Sequence, residues 1–315
     1  MRVMFFGTAA FAVPSLERLV RSSHEVVLCV TPPDRPQGRG LRHEPSPVKR
    51  AAERLGLPLV QPERLDTRVC EGRAAEVGVV AAYGQLVTRD ILDAFPHGMV
   101  GVHPSLLPKY RGAAPVAWAL LNGETRTGLT IFRMNERLDA GELILQEPVA
   151  IEPQEDAVAL TARLALLGAE TLVRALDALA GGRAGLKPQD DSQATYAPKL
   201  TKEQGRIDWA QPAEAVARLV RAMSPWPGAA TAYRGAPLKI WRAAVGNGTP
   251  RAGQMPGTVV CVEPDRLVVV ALDGTLEMTE VQPAGRRRVG VREFLAGHRV
   301  KVGDRFETGD RRQET

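Results

Sequence analysis

The chain has 315 residues, 44% apolar and 24% charged, with a formal net charge of +5. That balance belongs to a globular protein with enough chain for two cores, and it excludes disordered, fibrous and disulfide-scaffold classes: Cys29, Cys70 and Cys261 are odd in number, contain no CxxC pair, and read as buried thiols in a reducing compartment. No run approaches about eighteen apolar residues, and Met1-Arg2-Val3-Met4-Phe5-Phe6 leads straight into a glycine turn, so the expectation is a cytoplasmic protein, neither exported nor membrane-spanning.

Val3 to Phe6 predicts a strand, Pro14 to Ser22 a helix, and Val26 to Val30 a second strand. The segment Thr31 to Pro47 then carries Arg35, Arg39 and Arg42 among Pro and Gly, and is expected to lack regular structure. Glycine permits close approach and Arg pairs bidentately with phosphate, so the loop suits phosphate contact, although a solvated basic loop fits the same residues. Pro47 to Leu55 predicts a helix, Leu59 to Val60 and Val77 to Ala82 strands, and Thr88 to Ala94 a helix. Val100 to His103 and Leu129 to Met134 predict strands on either side of a helix at Ala114 to Leu121. Such alternation implies an α/β domain with a parallel sheet covered on both faces, whose ligands bind beyond the carboxyl ends of the strands.

Ala157 to Leu179 predicts a long helix that gives way to Gly181-Gly182 and a polar stretch. The expected organisation is a first domain over 1–180, a linker over 181–205 and a second domain over 206–315. In the last of these, a helix at Pro212 to Met223 precedes five short strands: Ala230 to Tyr233, Leu238 to Trp241, Thr258 to Val262, Leu267 to Ala271 and Leu276 to Val281. That pattern suits a small β-barrel, and barrels of the OB type often bind nucleic acid. Residues 1–200 hold 23 Lys+Arg against 23 Asp+Glu, whereas 201–315 hold 18 against 13, so the whole positive excess lies in the last third. A basic C-terminal part points to an anionic partner, or to a solvated basic face.

The densest motif runs from Val102-His103-Pro104-Ser105 to Gly112-Ala113-Ala114-Pro115, at the end of a predicted buried strand. Its prolines stiffen the loop that follows His103. A histidine after an apolar strand serves equally as a structural hydrogen-bonder. Asp139, in Leu138-Asp139-Ala140-Gly141, also follows a predicted strand; it fits a turn former, or a carboxylate that shares proton transfers with the imidazole. The chain has no GxSxG, P-loop or HExxH motif, so serine-hydrolase, nucleotide-hydrolase and zinc-protease readings have no support.

Several segments, in order over nearly the whole chain, resemble the methionyl-tRNA formyltransferase family. They are Phe6-Gly7-Thr8, the Pro33-Asp34-Arg35-Pro36 to Lys49 loop, the His103 to Pro115 motif and Leu138-Asp139-Ala140-Gly141. Further along come Tyr196-Ala197-Pro198-Lys199-Leu200, Arg206-Ile207-Asp208-Trp209, Pro225-Trp226-Pro227 and Val281-Gln282-Pro283-Ala284-Gly285. The resemblance implies a Rossmann-like, mostly parallel α/β catalytic domain of the formyltransferase fold, followed by an OB-like β-barrel that binds tRNA. It further implies 10-formyltetrahydrofolate as donor, initiator methionyl-tRNA as acceptor, and no metal; a monomer is expected. His103 and Asp139 match the family's catalytic His and Asp, Ser105, Leu106, Leu107 and Pro108 its folate-contacting segment, and Arg39 its acceptor-stem arginine, with Arg35 and Arg42 beside it. The family's Asn-x-His motif has Gly101 at the Asn position here. Residues two apart on a strand share a face, so Gly101→Asn is expected to add an oxyanion donor and raise kcat by at least about tenfold.

In the mechanism so implied, Asp139 takes the proton released as the amine attacks and also orients His103, which donates to the developing oxyanion. Two rivals remain: a folate-dependent formyltransferase or hydrolase acting on a small molecule, and a weakly active tRNA-binding variant, motivated by Gly101.

Overall fold

The computed structural model describes residues 1–37 and 42–308. The chain divides into two compact units: Met1–Pro115, Arg126–Ala150 and Thr161–Pro198 form the first, and Val116–Thr125, Ile151–Leu160 and Lys199–Thr315 the second. Up to Ala180 the strands are β1 (Arg2–Gly7), β2 (Glu25–Val30), β3 (Arg35–Gln37), β4 (Arg42–Glu44), β5 (Leu59–Val60), β6 (Val77–Ala81), β7 (Met99–His103), β8 (Arg126–Arg133) and β9 (Leu143–Ala150). The helices over the same stretch are α1 (Val13–Val20), α2 (Pro47–Arg54), α3 (Arg89–Leu92), α4 (Pro115–Leu121) and α5 (Ala157–Ala180).

The main sheet has the order β5-β2-β1-β6-β7-β8-β9, parallel from β5 through β7 and antiparallel at β7-β8 and β8-β9. Alternation of side chains along β1 explains why both faces need cover. Val3 and Phe5 pack with Leu16, Leu19, Val48 and Ala52 of α1 and α2 and with Leu172 and Leu176 of α5. Met4 and Phe6 face the other way, among Tyr83, Ile91 and Phe95. Helix α2 starts where its sequence predicts: Ser46 caps it by accepting from the Lys49 amide, and Pro47 occupies the first turn, where its missing N–H costs nothing.

Three features depart from the sequence-based expectations. Strand β9 carries Pro148 and is mostly half-exposed; a terminal strand of the sheet tolerates a residue that cannot donate to the ladder, and that proline hides the strand from pattern reading. The segment Thr31 to Pro47 is not without regular structure, because β3 and β4 pair antiparallel as a ribbon (Arg35 with Glu44, Gln37 with Arg42). At its base Asp34 accepts from Lys49 Nζ at 2.6 Å and from Gln61 Nε2 at 2.8 Å. Arg39, and the side chains of Arg35 and Arg42, lie outside the described residues. Cys29 is buried, as expected, and burial pushes its thiol up to about 12, but Cys70 and Cys261 are only half-buried.

Of the stretch expected as a linker, residues up to Pro198 belong to the first unit, and Lys187 makes two backbone hydrogen bonds with Leu143, the first residue of β9. Beyond it lie α6 (Ala213–Ala222), β10 (Ala229–Tyr233), β11 (Ala236–Gly246), β12 (Val259–Glu263), β13 (Arg266–Val270), β14 (Thr275–Pro283), β15 (Val289–Gly290), α7 (Val291–Gly297) and β16 (Phe306–Thr308). The antiparallel order β12-β13-β14-β11-β10-β16, with β15 on β14, forms a curled half-barrel. Register shifts around Arg242 bend the long β11, as bulges do in barrels. Its core gathers Trp209, Val216, Val220, Ile240, Leu267, Met278 and Phe306. Helix α7 is too short to announce itself by periodicity, yet buries Val291 and Phe294. Among the described residues no helix is long and apolar enough to cross a membrane.

Candidate active site

Strand β7 is buried along its whole length and delivers His103 to its carboxyl end, 6% exposed. The imidazole Nε2 lies 2.8 Å from the Tyr110 carbonyl oxygen. A carbonyl can only accept, so Nε2 carries the proton and Nδ1 is left to face Asp139. Nδ1 and Asp139 Oδ2 are 3.7 Å apart, within ion-pair range but too far for a hydrogen bond. The same Oδ2 accepts from the Gly112 amide at 2.8 Å. The structure thus brings His103 and Asp139 together, while the orientation of the ring, expected from Asp139, comes from the Tyr110 carbonyl instead.

The loop after His103 is held from several sides. Ser105 donates its hydroxyl to the Lys109 carbonyl at 2.6 Å, and Thr130 Oγ1 donates to the Ser105 carbonyl at 2.6 Å while accepting from the Leu107 amide at 3.1 Å. Gln146 Nε2 donates to the Leu107 carbonyl at 2.9 Å. Of the four residues expected to contact folate, Ser105 and Leu107 are therefore buried in the loop's own framework, and Leu106 and Pro108 keep exposed surface. Tyr110 and Asp139 both hold positive φ, 62° and 47°, a region that costs non-glycine residues free energy and persists only under restraint.

Part of that restraint comes from residues that pattern reading passed over. Thr195 Oγ1 accepts from the Tyr110 amide at 2.9 Å, and Arg111 exchanges backbone bonds with Thr195 and Ala197. Arg111 has a 2% exposed side chain, paired with Asp191 at 2.8 Å, and it donates to Gln189 Oε1. Hydrogen bonds from Arg137 and then Arg111 hold the Asp191 carboxyl below the usual carboxylate range. The sequence signal for this framework is the Tyr196-Ala197-Pro198-Lys199-Leu200 motif, which adjoins it.

Gly101 sits on β7 opposite Phe132 of β8. A Cβ at 101 would stand 2.4 Å from the Phe132 ring, which is buried with Leu107 and Leu143. The space that a side chain at 101 needs is already filled, so Gly101 and Phe132 form a matched pair, and the expected gain from Asn at 101 loses its physical basis.

On the half-barrel, Arg288 lies 3.5 Å over the Trp241 ring and Lys239 lies 5.6 Å from the same ring. Desolvation, with the positive charges of Arg288 and Lys202, lowers the Lys239 pKa from the usual ammonium range.

Residues 1–176 match the family described as Formyl transferase, and residues 199–299 match Formyl transferase, C-terminal domain. The methionyl-tRNA formyltransferase of Solibacter usitatus is 46% identical over 313 residues, covering 98% of this chain and 99% of that protein. The one from Thermus thermophilus is 48% identical over 311 residues, covering 97% and 99%. Among solved structures, WlaRD, a sugar 3N-formyl transferase, has a TM-score of 0.66 at 16% identity over 91% of this chain and 99% of that one. The N-formyltransferase from Helicobacter canadensis, in complex with folinic acid and dTDP-3-aminofucose, has a TM-score of 0.68 at 15% identity, covering 89% and 98%. These structures share the fold; the close full-length relatives decide the rest. The two matching family models and the close full-length relatives place this chain in the methionyl-tRNA formyltransferase family.

Proposed function

We propose that the chain transfers the formyl group of 10-formyltetrahydrofolate to the α-amino group of methionine on initiator tRNA, with His103 and Asp139 as its catalytic residues. The observation that carries the chemical reading is the pairing of His103 Nδ1 with Asp139 Oδ2 across 3.7 Å at the carboxyl end of a buried strand. Formyl transfer from a folate carrier is the family's chemistry. An α-amino group titrates at about 7.7 to 8.0, so near neutrality part of it is the free amine that attacks. As the new C–N bond forms, the amine nitrogen releases a proton to Asp139. Nε2 remains committed to the Tyr110 carbonyl, so the proton passes from Asp139 to His103 Nδ1, and the Nδ1–H of the resulting imidazolium donates to the oxyanion and then supplies the proton for the leaving nitrogen. Collapse of the adduct breaks the bond between the formyl carbon and N10 of the folate, and a proton returns to that nitrogen. No electron leaves or enters, and positioning supplies most of the rate.

For the acceptor, the support is the basic cluster of Lys202, Lys239 and Arg288 by Trp241, where burial and then the charges of Arg288 and Lys202 lower the Lys239 pKa. Phosphates relieve such crowding, and the exposed Arg288 guanidinium, held over the buried Trp241 ring, is the group that would meet them. Arg35, Arg39 and Arg42 are assigned to the same acceptor on their resemblance to the family loop. Leu106 and Pro108 are the half-buried members of the folate segment. The test is incubation with 10-formyltetrahydrofolate and charged initiator tRNA, followed by mass analysis of the released aminoacyl group. Formyl-methionine is the expected product; formylation only of a sugar-nucleotide amine, or hydrolysis of the donor alone, would overturn the assignment.

A further inference from the structure

Asp139 adopts φ of 47°, and Gly141 two residues later passes so close to the Arg133 carbonyl that a Cβ there would lie 1.7 Å from its oxygen. The turn carrying the carboxylate is therefore tight and unfavourable for its own sequence, and something must hold it. Gln189 does so from the strap that follows α5. Its Nε2 donates to the Asp139 carbonyl at 2.9 Å and to the Gly141 carbonyl at 2.7 Å, spanning the turn. Its Oε1 accepts from Arg111 Nη2 at 2.8 Å and Nε at 3.2 Å. The carboxamide thus has both donors and its acceptor engaged, and it links the Asp139 turn to the residue next to Tyr110, whose carbonyl orients His103.

We propose that Gln189 is a positioning residue for formyl transfer, setting the Asp139 carboxylate against His103 through its two carbonyl contacts; this rests on the assignment of those two residues as the catalytic pair. The relevant interaction is with backbone, so it survives any protonation change at the site. Glutamate at 189 keeps the acceptor for Arg111 and adds a charge that the guanidinium matches, but it removes both donors and turns a carboxylate toward two carbonyl oxygens.

Gln189→Glu is expected to lower kcat about 10- to 100-fold, the scale of a displaced catalytic group, with KM for donor and tRNA within about twofold, as for a group acting only in the transition state. The deciding comparison repeats the change in an Asp139→Ala background, under single-turnover conditions. A residue that acts through Asp139 should cost less than about threefold there, since groups acting as a unit are not additive. An equal loss in both backgrounds, a loss confined to KM, or an unchanged kcat would overturn the proposal. Asp139→Ala alone reports on the catalytic assignment: near-normal turnover in that single variant removes Asp139 from the mechanism, and the role of Gln189 with it. Should Gln189→Glu fail to fold by circular dichroism, Gln189→Ala carries the same cycle, because Arg111 retains Asp191.

Discussion

A single backbone contact determines which nitrogen of His103 faces Asp139. With Nε2 donating to the Tyr110 carbonyl, the ring cannot flip without losing a buried hydrogen bond, so Nδ1 is the nitrogen that faces Asp139. His103→Ala and Asp139→Ala are each expected to cut kcat by about 10² to 10⁴ with the fold intact, and the double variant to lose far less than the product of the two. Steady-state turnover with charged tRNA checks both, and near-normal turnover in either single variant removes that residue from the mechanism. At Gly101 the expectation is now a loss. Asn at 101 drives into the buried Phe132 ring, and overpacking of this kind costs about 1 to 3 kcal/mol. Gly101→Asn should lower the thermal midpoint without raising kcat, whereas Gly101→Asn with Phe132→Leu should recover the midpoint and admit the carboxamide beside His103. A more active single variant would show that Phe132 yields easily.

The elements differ in how much of their stability is written locally. In the half-barrel, Tyr233 on β10 donates to Asp304 at 2.7 Å, and Arg234 pairs with the same carboxylate at 3.1 Å. Burial, and then the bond to Asp304, pushes the Tyr233 phenol up to about 12. A raised value means the protonated form is favoured on folding. Its contribution is therefore complete below the unfolded value of about 10 and is lost as pH rises through the folded one. Tyr233→Phe should lower the thermal midpoint at pH 9, and the margin between it and the parent should shrink between about 10 and about 12, because ionisation removes the same donor. A margin independent of pH would mean that folding does not shift the titration of the Tyr233 phenol. Pattern reading located most strands to within a residue or two where apolar runs were buried on both faces, as in β1 and β7. It missed β9, β15, β16 and α7, whose residues are few or half-exposed, and the β3-β4 ribbon, whose pairing lies across a turn and not in any periodicity.

Across the whole molecule, the division of charge between a neutral first two-thirds and a basic last third bears on how an anionic partner is met. Replacing Arg286 and Arg288, exposed residues of the basic run 286–288, by Ala should weaken tRNA binding and reduce the log-log salt slope by about 0.7 to 0.9 for every phosphate that is no longer neutralised, while leaving the KM for folate unchanged. Binding measured across a salt series checks this, and an unchanged slope removes those residues from the tRNA surface. Arg39→Ala should raise the KM for tRNA more than that for the folate donor.

Composition, strand-helix alternation and the order of motifs determined the fold class, the two-part organisation and the identity of His103 and Asp139 as candidates, because these depend on local pattern and on residue type at the ends of buried strands. The distances between groups far apart in the chain belong to tertiary structure alone. Nothing near Gly101 announces that Phe132 fills its space, since that contact exists only once β7 and β8 pair in their register. The polar stretch after α5 reads as a linker because its side chains are hydrophilic, yet Gln189, Asp191 and Thr195 spend those polar atoms on the backbone and the buried arginine of the loop after His103. Hydrogen-bond capacity is visible in a sequence, but its partners are chosen only when the chain closes on itself.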